Sequence, residues 1–454
     1  MDVPSNPALE VASVENVAAN SDGGDRVIPR VLSGGVRPRF AIPPSGAKSE
    51  TRLLLAARGL RAIGDGLVSL LLPVYLLELG HGPFETGIIA TTTLAGSALL
   101  TLLVGLYAQR ASGRSLLIGA ALLMVLTGIA FATFDNFWPL LLVAFVGTLN
   151  PSSGDVSVFL PLEQAQLARL VSERDRTRLF ARYSFIGSIM AAVGALGAAL
   201  PEAAAEFTGA ELRPALQAAF LVYAALGGLA LLLYRRLPRV VEAADPGRAP
   251  AKPLGRSRRI VLTLAALFSL DAFAGGLVVQ SLLALWLFER FGLSLATAGA
   301  IFFWTGVLSA LSYFAAVWIA ERIGLINTMV FTHLPANLCL ALVPFAPSLP
   351  LAITLLLVRS ALSQMDVPTR TSYVMAVVAP EERPAAASVT SVPRSLASAA
   401  SPALAGAMLA ASGFGWPLVL AGGLQAAYDL LLLVMFRNVR PPEETVRRNR
   451  SKPS

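Results

Sequence analysis

The sequence predicts an all-α membrane protein whose twelve transmembrane helices form two pseudo-symmetric six-helix bundles. Charged residues make up 14% of the chain, hydrophobic residues 55%, and the mean hydropathy is +0.66, whereas charged residues reach roughly 25% in an average soluble protein. Apolar runs of about 20 residues, the length that a helix needs to cross a bilayer, recur from Leu53 to Arg437. A polar motif that returns halfway along the chain indicates the division into two bundles.

The repeated motif occupies residues 105–114 and returns in a looser form at 316–324. Each copy closes an apolar run and carries a polar residue, an arginine and a glycine. Those residues are Gln109, Arg110 and Gly113 in the first copy and Glu321, Arg322 and Gly324 in the second. Gly87 and Gly299 are separated by the same number of residues as Gln109 and Glu321. A constant offset indicates duplication, which is typical of membrane transporters.

The predicted spans fall into two groups of six. They are 53–79, 84–108, 115–134, 137–166, 178–201, 214–236, 258–289, 294–321, 325–344, 350–378, 384–411 and 415–437. Residues 1–50 are polar and rich in Pro, Gly and Ser, so they are predicted to form a disordered cytoplasmic tail. The N-terminal bundle then occupies 51–236 and the C-terminal bundle 258–437, with a cytoplasmic linker at 237–257 and a basic cytoplasmic tail at 438–454.

The positions of the basic residues predict the orientation in the membrane. An even number of spans places both termini on one side, and an excess of Lys and Arg marks the cytoplasmic side. All but five of the 36 Lys and Arg residues fall in the tails and loops on the side of the termini. We therefore predict a multi-pass protein of the cell (inner or plasma) membrane with both termini cytoplasmic. The same distribution explains the net charge of +8 without a nucleic-acid partner.

The small number of cysteine and histidine residues limits which covalent and metal-binding sites the chain can form. One cysteine, Cys339, and two histidines, His81 and His333, provide neither an internal disulfide nor a metal site. The chain also has no Gly-Lys-Ser/Thr loop of the kind that binds phosphate. We therefore expect no metal, no cofactor and no enzymatic activity.

The duplicated loop, the twelve spans and the basic linker together resemble the major facilitator superfamily of secondary transporters over residues 51–437. The loop motif of that family reads roughly Gly-x-Leu-Ala-Asp-Arg-x-Gly-Arg, and its charges latch the gate between the bundles. The matching residues here are Gly105, Ala108, Arg110, Gly113 and Arg114. Gln109 stands where the family usually has Asp, and Ser112 is an insertion. The resemblance implies that both copies of the motif form gating loops, in which Glu321 takes the acidic role.

Within the superfamily, the likeness is closest to bacterial drug/proton antiporters. The fifth span carries only Gly187, Gly194 and Gly197 in place of the longer glycine-proline signature of those antiporters, and their arginine motif is faintly echoed at Arg359, in the wrong half of the chain. The fourth span lacks the arginine that many such antiporters carry there.

The candidate site residues are the ionisable side chains inside the spans. A charged side chain at the bilayer centre costs at least about 2.5 to 3.5 kcal/mol, so such residues face a cavity, form pairs or move protons. The resemblance implies that helices 1, 4, 7 and 10 line a central cavity. The proton-coupling candidates on these helices are Asp65, Asp155, Asp271 and Asp366. The substrate-binding candidates are Arg61, Glu163, Arg359, Arg370 and Tyr373.

Four of these candidates also have a structural interpretation as two ion pairs. Arg61 with Asp65, and Asp366 with Arg370, lie four residues apart and are therefore positioned for static intrahelical ion pairs. Glu163 lies nearer the interface, where snorkelling or pairing with a loop is expected.

Other polar residues predict irregular helices and packing. Asn150 and Pro151 are expected to loosen the fourth span, and Pro368 to allow a bend in the tenth. His333 is expected to bond to a neighbouring helix, and Asp429 to pair across a scaffold face of the twelfth span.

The predicted function is alternating-access transport by a monomer, with proton-coupled efflux of a small organic compound as the leading hypothesis. Its partners are a small-molecule substrate, protons and the lipid bilayer. Arg359 and Arg370 favour an alternative, uptake or exchange of an anionic metabolite, because arginine suits carboxylate and phosphate groups. The departure at Gln109 leaves a non-transporting receptor or scaffold on the same fold as a further alternative. A membrane-embedded enzyme is the weakest, since no nucleophile and base occur at a recognisable spacing.

Overall fold

A computed structural model describes residues 49–107, 112–152, 157–170, 173–238, 254–255, 257–378, 380–437 and 439. Asp155, Gln109 and Arg110 lie outside these residues, as do Ala108, residues 1–48, most of the predicted linker and nearly all of the predicted C-terminal tail. Sixteen α-helices and two short 3-10 helices make up the described chain, and no strand occurs in it. The prediction of an all-α membrane protein is confirmed.

The helices follow the predicted spans closely. They are α1 Ser49–Glu78, α2 Pro83–Tyr107, α3 Gly113–Thr133, α4 Phe137–Val146, α5 Phe159–Leu170, α6 Glu173–Gly197, α7 Leu200–Thr208, α8 Leu212–Arg235, α9 Arg258–Gly276, α10 Gln280–Phe291, α11 Leu295–Ile323, α12 Leu325–Leu342, α13 Leu349–Ser363, α14 Asp366–Val377, α15 Arg383–Ala411 and α16 Trp416–Phe436. The 3-10 helices are Val343–Phe345 and Pro380–Glu382. By length and apolar composition, nine helical stretches in the described residues can cross a membrane, and Phe137–Val146 and Leu349–Ser363 are shorter apolar helices.

Three predicted spans are divided in two. The fourth consists of α4 and α5, the seventh of α9 and α10, and the tenth of α13 and α14. Gly147 ends α4 in an extended conformation, and Pro151, which has no N–H to donate, follows within the break. In the tenth span the break precedes Pro368, which becomes the third residue of α14, where its missing N–H removes no helical bond. The predicted loosening at Asn150 and Pro151 is confirmed, whereas the break at Val279 is absent from the prediction.

We call α1–α8 the N half and α9–α16 the C half, and we call the end of the bundle that holds residues 79–82 the far end. The halves pack through α2 against α15 and through α6 against α11. Gly87 and Gly406 allow the first contact, because a Cβ on Gly87 would lie 2.9 Å from Gly406 Cα. In the second, a Cβ on Gly299 would lie 2.8 Å from the carbonyl oxygen of Ala195. Thus both members of the glycine pair that marks the sequence repeat lie where the halves meet.

Hydrogen bonds also join the halves in the part of the bundle nearer the far end. Glu202 accepts a hydrogen bond from the backbone N–H of Leu295 at 2.7 Å, at the first turn of α11. Gln280 donates to the Ser69 hydroxyl at 3.0 Å. The backbone N–H of Ser281 donates to the carbonyl oxygen of Pro151 at 3.0 Å, which joins the broken fourth and seventh spans.

Candidate functional site

A buried ion pair joins α1 to α5 in the N half. Arg61 Nη2 lies 2.5 Å from Glu163 Oε2, and the side chains are 1% and 0% exposed. The hydroxyls of Tyr183 and Tyr234 each donate to the Glu163 carboxylate at 2.5 Å, and Arg61 Nε donates to the Tyr234 hydroxyl at 3.1 Å. We call Arg61, Glu163, Tyr183 and Tyr234 the N-cluster. The ring of Phe159 lies 3.9 Å from the Arg61 guanidinium and completes its surroundings.

The N-cluster corrects the expected partner of Arg61. Spacing along α1 favours a pair with Asp65, but the guanidinium bonds to Glu163 because the two helices pack with these side chains face to face. Glu163 is accordingly buried between helices and does not pair with a loop. Asp65 is also buried, 6% exposed, and lies beside Asn150 at the break in the fourth span.

A second buried cluster joins the broken seventh and tenth spans in the C half. Arg370 Nη2 donates to Asp271 Oδ2 at 2.8 Å and also bonds to Asp366, so two carboxylates share one nitrogen of one guanidinium group. The Gln425 amide donates to the other oxygen of Asp271 at 3.4 Å, and the Arg370 guanidinium lies 5.9 Å from the ring of Tyr428. We call Asp271, Asp366, Arg370, Gln425 and Tyr428 the C-cluster.

Several polar atoms of the C-cluster have no hydrogen-bond partner among the described residues. They are Nε and Nη1 of Arg370, Oε1 of Gln425 and the hydroxyl of Tyr428. Buried polar groups are normally hydrogen-bonded, and those that are not call for an explanation such as a bound molecule or a functional role. The cluster therefore has free donors and a free acceptor within the C half.

The two clusters occupy equivalent positions in the repeat with their charges exchanged. Arg61 and Asp271 lie on the first span of each half, and Glu163 and Arg370 lie on the fourth. Nearly the same number of residues separates Arg61 from Asp271 as separates Glu163 from Arg370. The N half has its arginine on the first span and its carboxylate on the fourth, and the C half has the reverse.

A third buried polar group lies between α12 and α16. His333 Nδ1 lies 3.0 Å from Asp429 Oδ1, and the Asn337 amide nitrogen lies 2.9 Å from Asp429 Oδ2 and 3.1 Å from His333 Nδ1. We call His333, Asn337 and Asp429 the histidine group. The expected bond from His333 to a neighbouring helix is present, and Asp429 is its partner.

Arg359 and Tyr373, two substrate-binding candidates, have other neighbours. Arg359 is on α13, where its Nε is buried without a hydrogen-bond partner in the described part of the chain, beside Cys339 of α12. The Tyr373 hydroxyl donates to the carbonyl oxygen of Val439 at 3.0 Å, and its ring lies 6.2 Å from that of Phe436. Tyr373 therefore packs in the hydrophobic core and anchors the chain that follows α16.

The first copy of the loop motif contacts the end of α8. Arg114 donates to the carbonyl oxygens of Arg235 at 2.6 Å and Tyr234 at 3.4 Å at the C-terminus of that helix, where Tyr234 also accepts from the N–H of Leu237. Gly113 begins α3 where a Cβ would lie 1.9 Å from the Gln166 amide nitrogen. Gly105 is exposed near the end of α2.

The second copy ends a helix. Gly324 has φ of 87°, a conformation that favours glycine, and its N–H donates to the Ala320 carbonyl oxygen. Arg322 lies 3.4 Å from the ring of Trp318, and Glu321 is exposed.

The uncharged members of both clusters are absent from the residues predicted for the site. Tyr183, Tyr234, Gln425 and Tyr428 carry hydroxyl or amide groups inside apolar spans, and these groups need partners in the absence of water. That requirement is the signal that would have found them. In the described residues no group of three or more His, Cys, Asp or Glu side chains is arranged to hold a metal ion.

A family model for the Major Facilitator Superfamily matches residues 54–363 and 272–454 of this chain. The chain belongs to the major facilitator superfamily. Membership agrees with the helical bundle, the two halves and the loop motif between α2 and α3. The protein is therefore a transporter of the major facilitator type by family and fold.

The similarity to other proteins extends over most of the chain. The uncharacterized membrane protein YJR124C of Saccharomyces cerevisiae is 24% identical over 436 residues, which covers 88% of this chain and 97% of that protein. A mutant of the nucleoside transporter NupG has 14% identity and a TM-score of 0.69, with 85% of this chain and 100% of that chain covered. A bacterial homolog of the human lysosomal transporter Spinster, in an inward-facing and occupied conformation, has 16% identity and a TM-score of 0.66 over 86% and 97% of the two chains. These structures share the fold of this member of the superfamily.

Proposed function

We propose that this chain is a proton-coupled secondary transporter that exports a small organic compound by alternating access. The observation that carries the proposal is the C-cluster, in which Asp271 and Asp366 share a single nitrogen of Arg370. Both carboxylates are on spans that are broken into two helices. A broken span exposes backbone groups and can rearrange, as in other transporters.

The arrangement of charges supports proton coupling at this site. Asp271 and Asp366 bond to one nitrogen of Arg370, and Arg394 is the second arginine that acts on them. The like charge of each carboxylate favours the protonated form of the other. Arginine keeps its own proton, so it stabilises whichever carboxylate is ionised. A proton that joins Asp271 or Asp366 would release Arg370 from one partner and change the site that the substrate meets.

The contact between the halves supports alternating access. Gly87 with Gly406, and Glu202 with Leu295, hold the halves together near the far end. A transporter closed at the far end receives substrate from the side of the termini, which the basic loops predict to be cytoplasmic. Loading from the cytoplasm is the first step of export.

One observation favours uptake or exchange of an anionic metabolite as a second candidate. Nε and Nη1 of Arg370 are buried donors with no hydrogen-bond partner in the described structure. A carboxylate or phosphate group would satisfy both at once, because the guanidinium fork binds such groups in a bidentate manner. Lysine offers a point charge in place of this fork, so transport of an anion is expected to fail in Arg370→Lys and transport of a cation or neutral compound is expected to persist.

The test is proton movement in proteoliposomes that contain only the purified full-length protein. A pH-sensitive dye is trapped inside, and cationic, neutral and anionic organic solutes are added one at a time. We expect one class of solute to trigger proton flow, and Asp271→Asn and Asp366→Asn to abolish that flow. Asp135→Asn is the matched control, because Asp135 pairs with Arg213 near the far end and is 46% exposed.

Each other outcome identifies a different function. Solute movement without proton flow would contradict coupling and leave uniport or exchange. Absence of movement for every solute, with protein that remains folded, would favour a receptor or scaffold built on the transporter fold.

A further inference from the structure

The histidine group lies apart from the helix breaks, and the distance between His333 and Asp429 requires a shared proton. His333 Nδ1 and Asp429 Oδ1 are 3.0 Å apart, a hydrogen-bonding distance that needs one proton between the two atoms. An ionised carboxylate is an acceptor only, and an imidazole nitrogen without a proton is also an acceptor. The proton therefore belongs either to His333 Nδ1 or to Asp429.

Asn337 makes both proton positions stable. Its amide nitrogen donates to Asp429 Oδ2 at 2.9 Å and lies 3.1 Å from His333 Nδ1. With the proton on His333 Nδ1, the amide supports the ionised Asp429. With the proton on Asp429, Oδ1–H donates to the bare Nδ1 and the amide still donates to Oδ2. Either arrangement keeps the hydrogen bond between Nδ1 and Oδ1, so the ring can gain or lose a second proton at Nε2, which makes it positive or neutral, without breaking that bond.

Charged neighbours connect this group to the C-cluster. The ring of Tyr428 lies 6.2 Å from that of His333 and 5.9 Å from the Arg370 guanidinium, so one side chain contacts both sites. The carboxylates that act on His333 are Asp429 from α16, Asp366 from α14 and Asp271 from α9, and Tyr428 from α16 lies against its ring. Arg370 from α14 and Arg394 from α15 act on Asp271 and Asp366. The three carboxylates outnumber the two arginines, and they favour a positive charge on His333.

We propose that His333 and Asp429 form a second proton-binding site, whose occupancy controls the pH at which the C-cluster carries out transport. A positive His333 neutralises part of the negative charge around Asp271 and Asp366. It thereby makes those carboxylates easier to ionise, so the two sites compete for protons. Only the link to transport rests on the proposed proton coupling.

The first experiment observes the proton on His333 directly. The chain contains only two histidines, so histidine labelled with ¹⁵N on its ring gives two sets of nuclear magnetic resonance signals in lipid nanodiscs, and His81→Gln leaves His333 alone. We expect the His333 ring to change protonation between about pH 5 and pH 9. Asp429→Asn is expected to lower the midpoint by about one pH unit or more, because it removes the charge that favours the protonated ring.

The second experiment tests the link between the sites. In Asp271→Asn and Asp366→Asn the His333 midpoint should fall, whereas in the control Asp135→Asn it should not move. A His333 ring that stays in one protonation state over this range would overturn the proposal, even where proton-coupled transport is intact. If the His333 ring titrates with the same midpoint in Asp271→Asn and Asp366→Asn as in the wild type, the proposal that this site influences the C-cluster would be overturned.

A flux measurement separates this role from a packing role. In the proteoliposome assay, His333→Gln is expected to displace the pH optimum of proton flow, and His81→Gln is expected to leave it in place. An unchanged optimum with an altered rate would assign His333 to packing alone and contradict the proposal. Absence of proton flow in the wild-type protein with every solute would contradict the proposed function. The nuclear magnetic resonance experiment would still show whether His333 and Asp429 bind a proton.

Discussion

The two buried arginines differ in how their donors are used. Arg61 bonds to a carboxylate and a hydroxyl, and the tyrosines of the N-cluster occupy the same carboxylate. Arg370 directs one nitrogen to two carboxylates and leaves Nε and Nη1 without partners in the described chain. We infer that the N-cluster holds helices together, whereas the C-cluster has the spare hydrogen-bonding capacity that a site of proton exchange or substrate binding needs.

The stability of the protein should depend on the buried charge pair of the N-cluster. Glu163→Gln leaves the buried Arg61 without its counter-charge, and removal of one partner of a buried ion pair typically costs about 3 to 5 kcal/mol. We expect a large fall in the thermal unfolding midpoint in detergent. The matched control is Asp135→Asn, which breaks an exposed pair with Arg213 and should change the midpoint little.

The same cluster offers a compensating variant. Replacement of both partners by apolar residues, in Arg61→Met with Glu163→Leu, removes both buried charges and should recover much of the lost stability. Equal stability of the single and double variants would show that the charge pair is not what holds α1 to α5.

At the scale of the helices, the breaks and the small-residue crossings determine which parts can move. Gly87 and Gly406 let α2 and α15 approach closely, and a Cβ on Gly87 would lie 2.6 Å from the carbonyl oxygen of Pro402. Backbone atoms cannot move aside as a flexible side chain can. The contact between the halves therefore depends on the absence of a side chain at this position.

Gly87→Ala is expected to part the halves at the far end. Spin labels on Phe207→Cys and Phe345→Cys, two exposed positions near the far end, in a Cys339→Ser background would report the distance between the halves. We expect a population at longer distance. Gly119→Ala is the control, because a Cβ there meets nothing within 4 Å, and an equal change in that variant would contradict the steric explanation.

Glu202 should favour the same closed state through the dipole of α11. Its carboxylate accepts from the N–H of Leu295 at 2.7 Å, and a negative charge at a helix N-terminus stabilises by up to about 1 kcal/mol. Glu202→Gln keeps an acceptor but removes the charge, so the ratio of closed to open molecules should fall by up to roughly fivefold. The same label pair measures this ratio. Glu206→Gln on the exposed face of α7 should have no effect, and a similar fall there would indicate a general charge effect.

For the whole molecule, the sequence was sufficient for the class and the helix positions. Apolar length decides where a span lies, and most spans end within a few residues of the prediction. The break after Val146 has Gly147 and Pro151 nearby, and the break after Ser363 precedes Pro368. The break before Gln280 follows Gly275 and Gly276, a weaker signal because no proline accompanies them. Partners across helices could not be predicted in the same way. Spacing shows which residues share a face of one helix, but not how two helices are rotated relative to each other. For this reason the spacing favoured Asp65 as the partner of Arg61, whereas in the structure the partner is Glu163.

The orientation of the whole molecule remains a prediction from its charges. Moving most of the basic loops across a membrane is unfavourable, so the end with the termini should be cytoplasmic. In a Cys339→Ser background, Glu78→Cys at the far end should react with an impermeant maleimide in intact cells. Arg322→Cys, which is exposed at the other end, should react only after the cells are made permeable. The reverse labelling pattern would show that the far end is cytoplasmic. Closure at the far end would then block access from the cytoplasm, and this result would contradict the proposed loading of substrate for export, whether or not transport is coupled to protons.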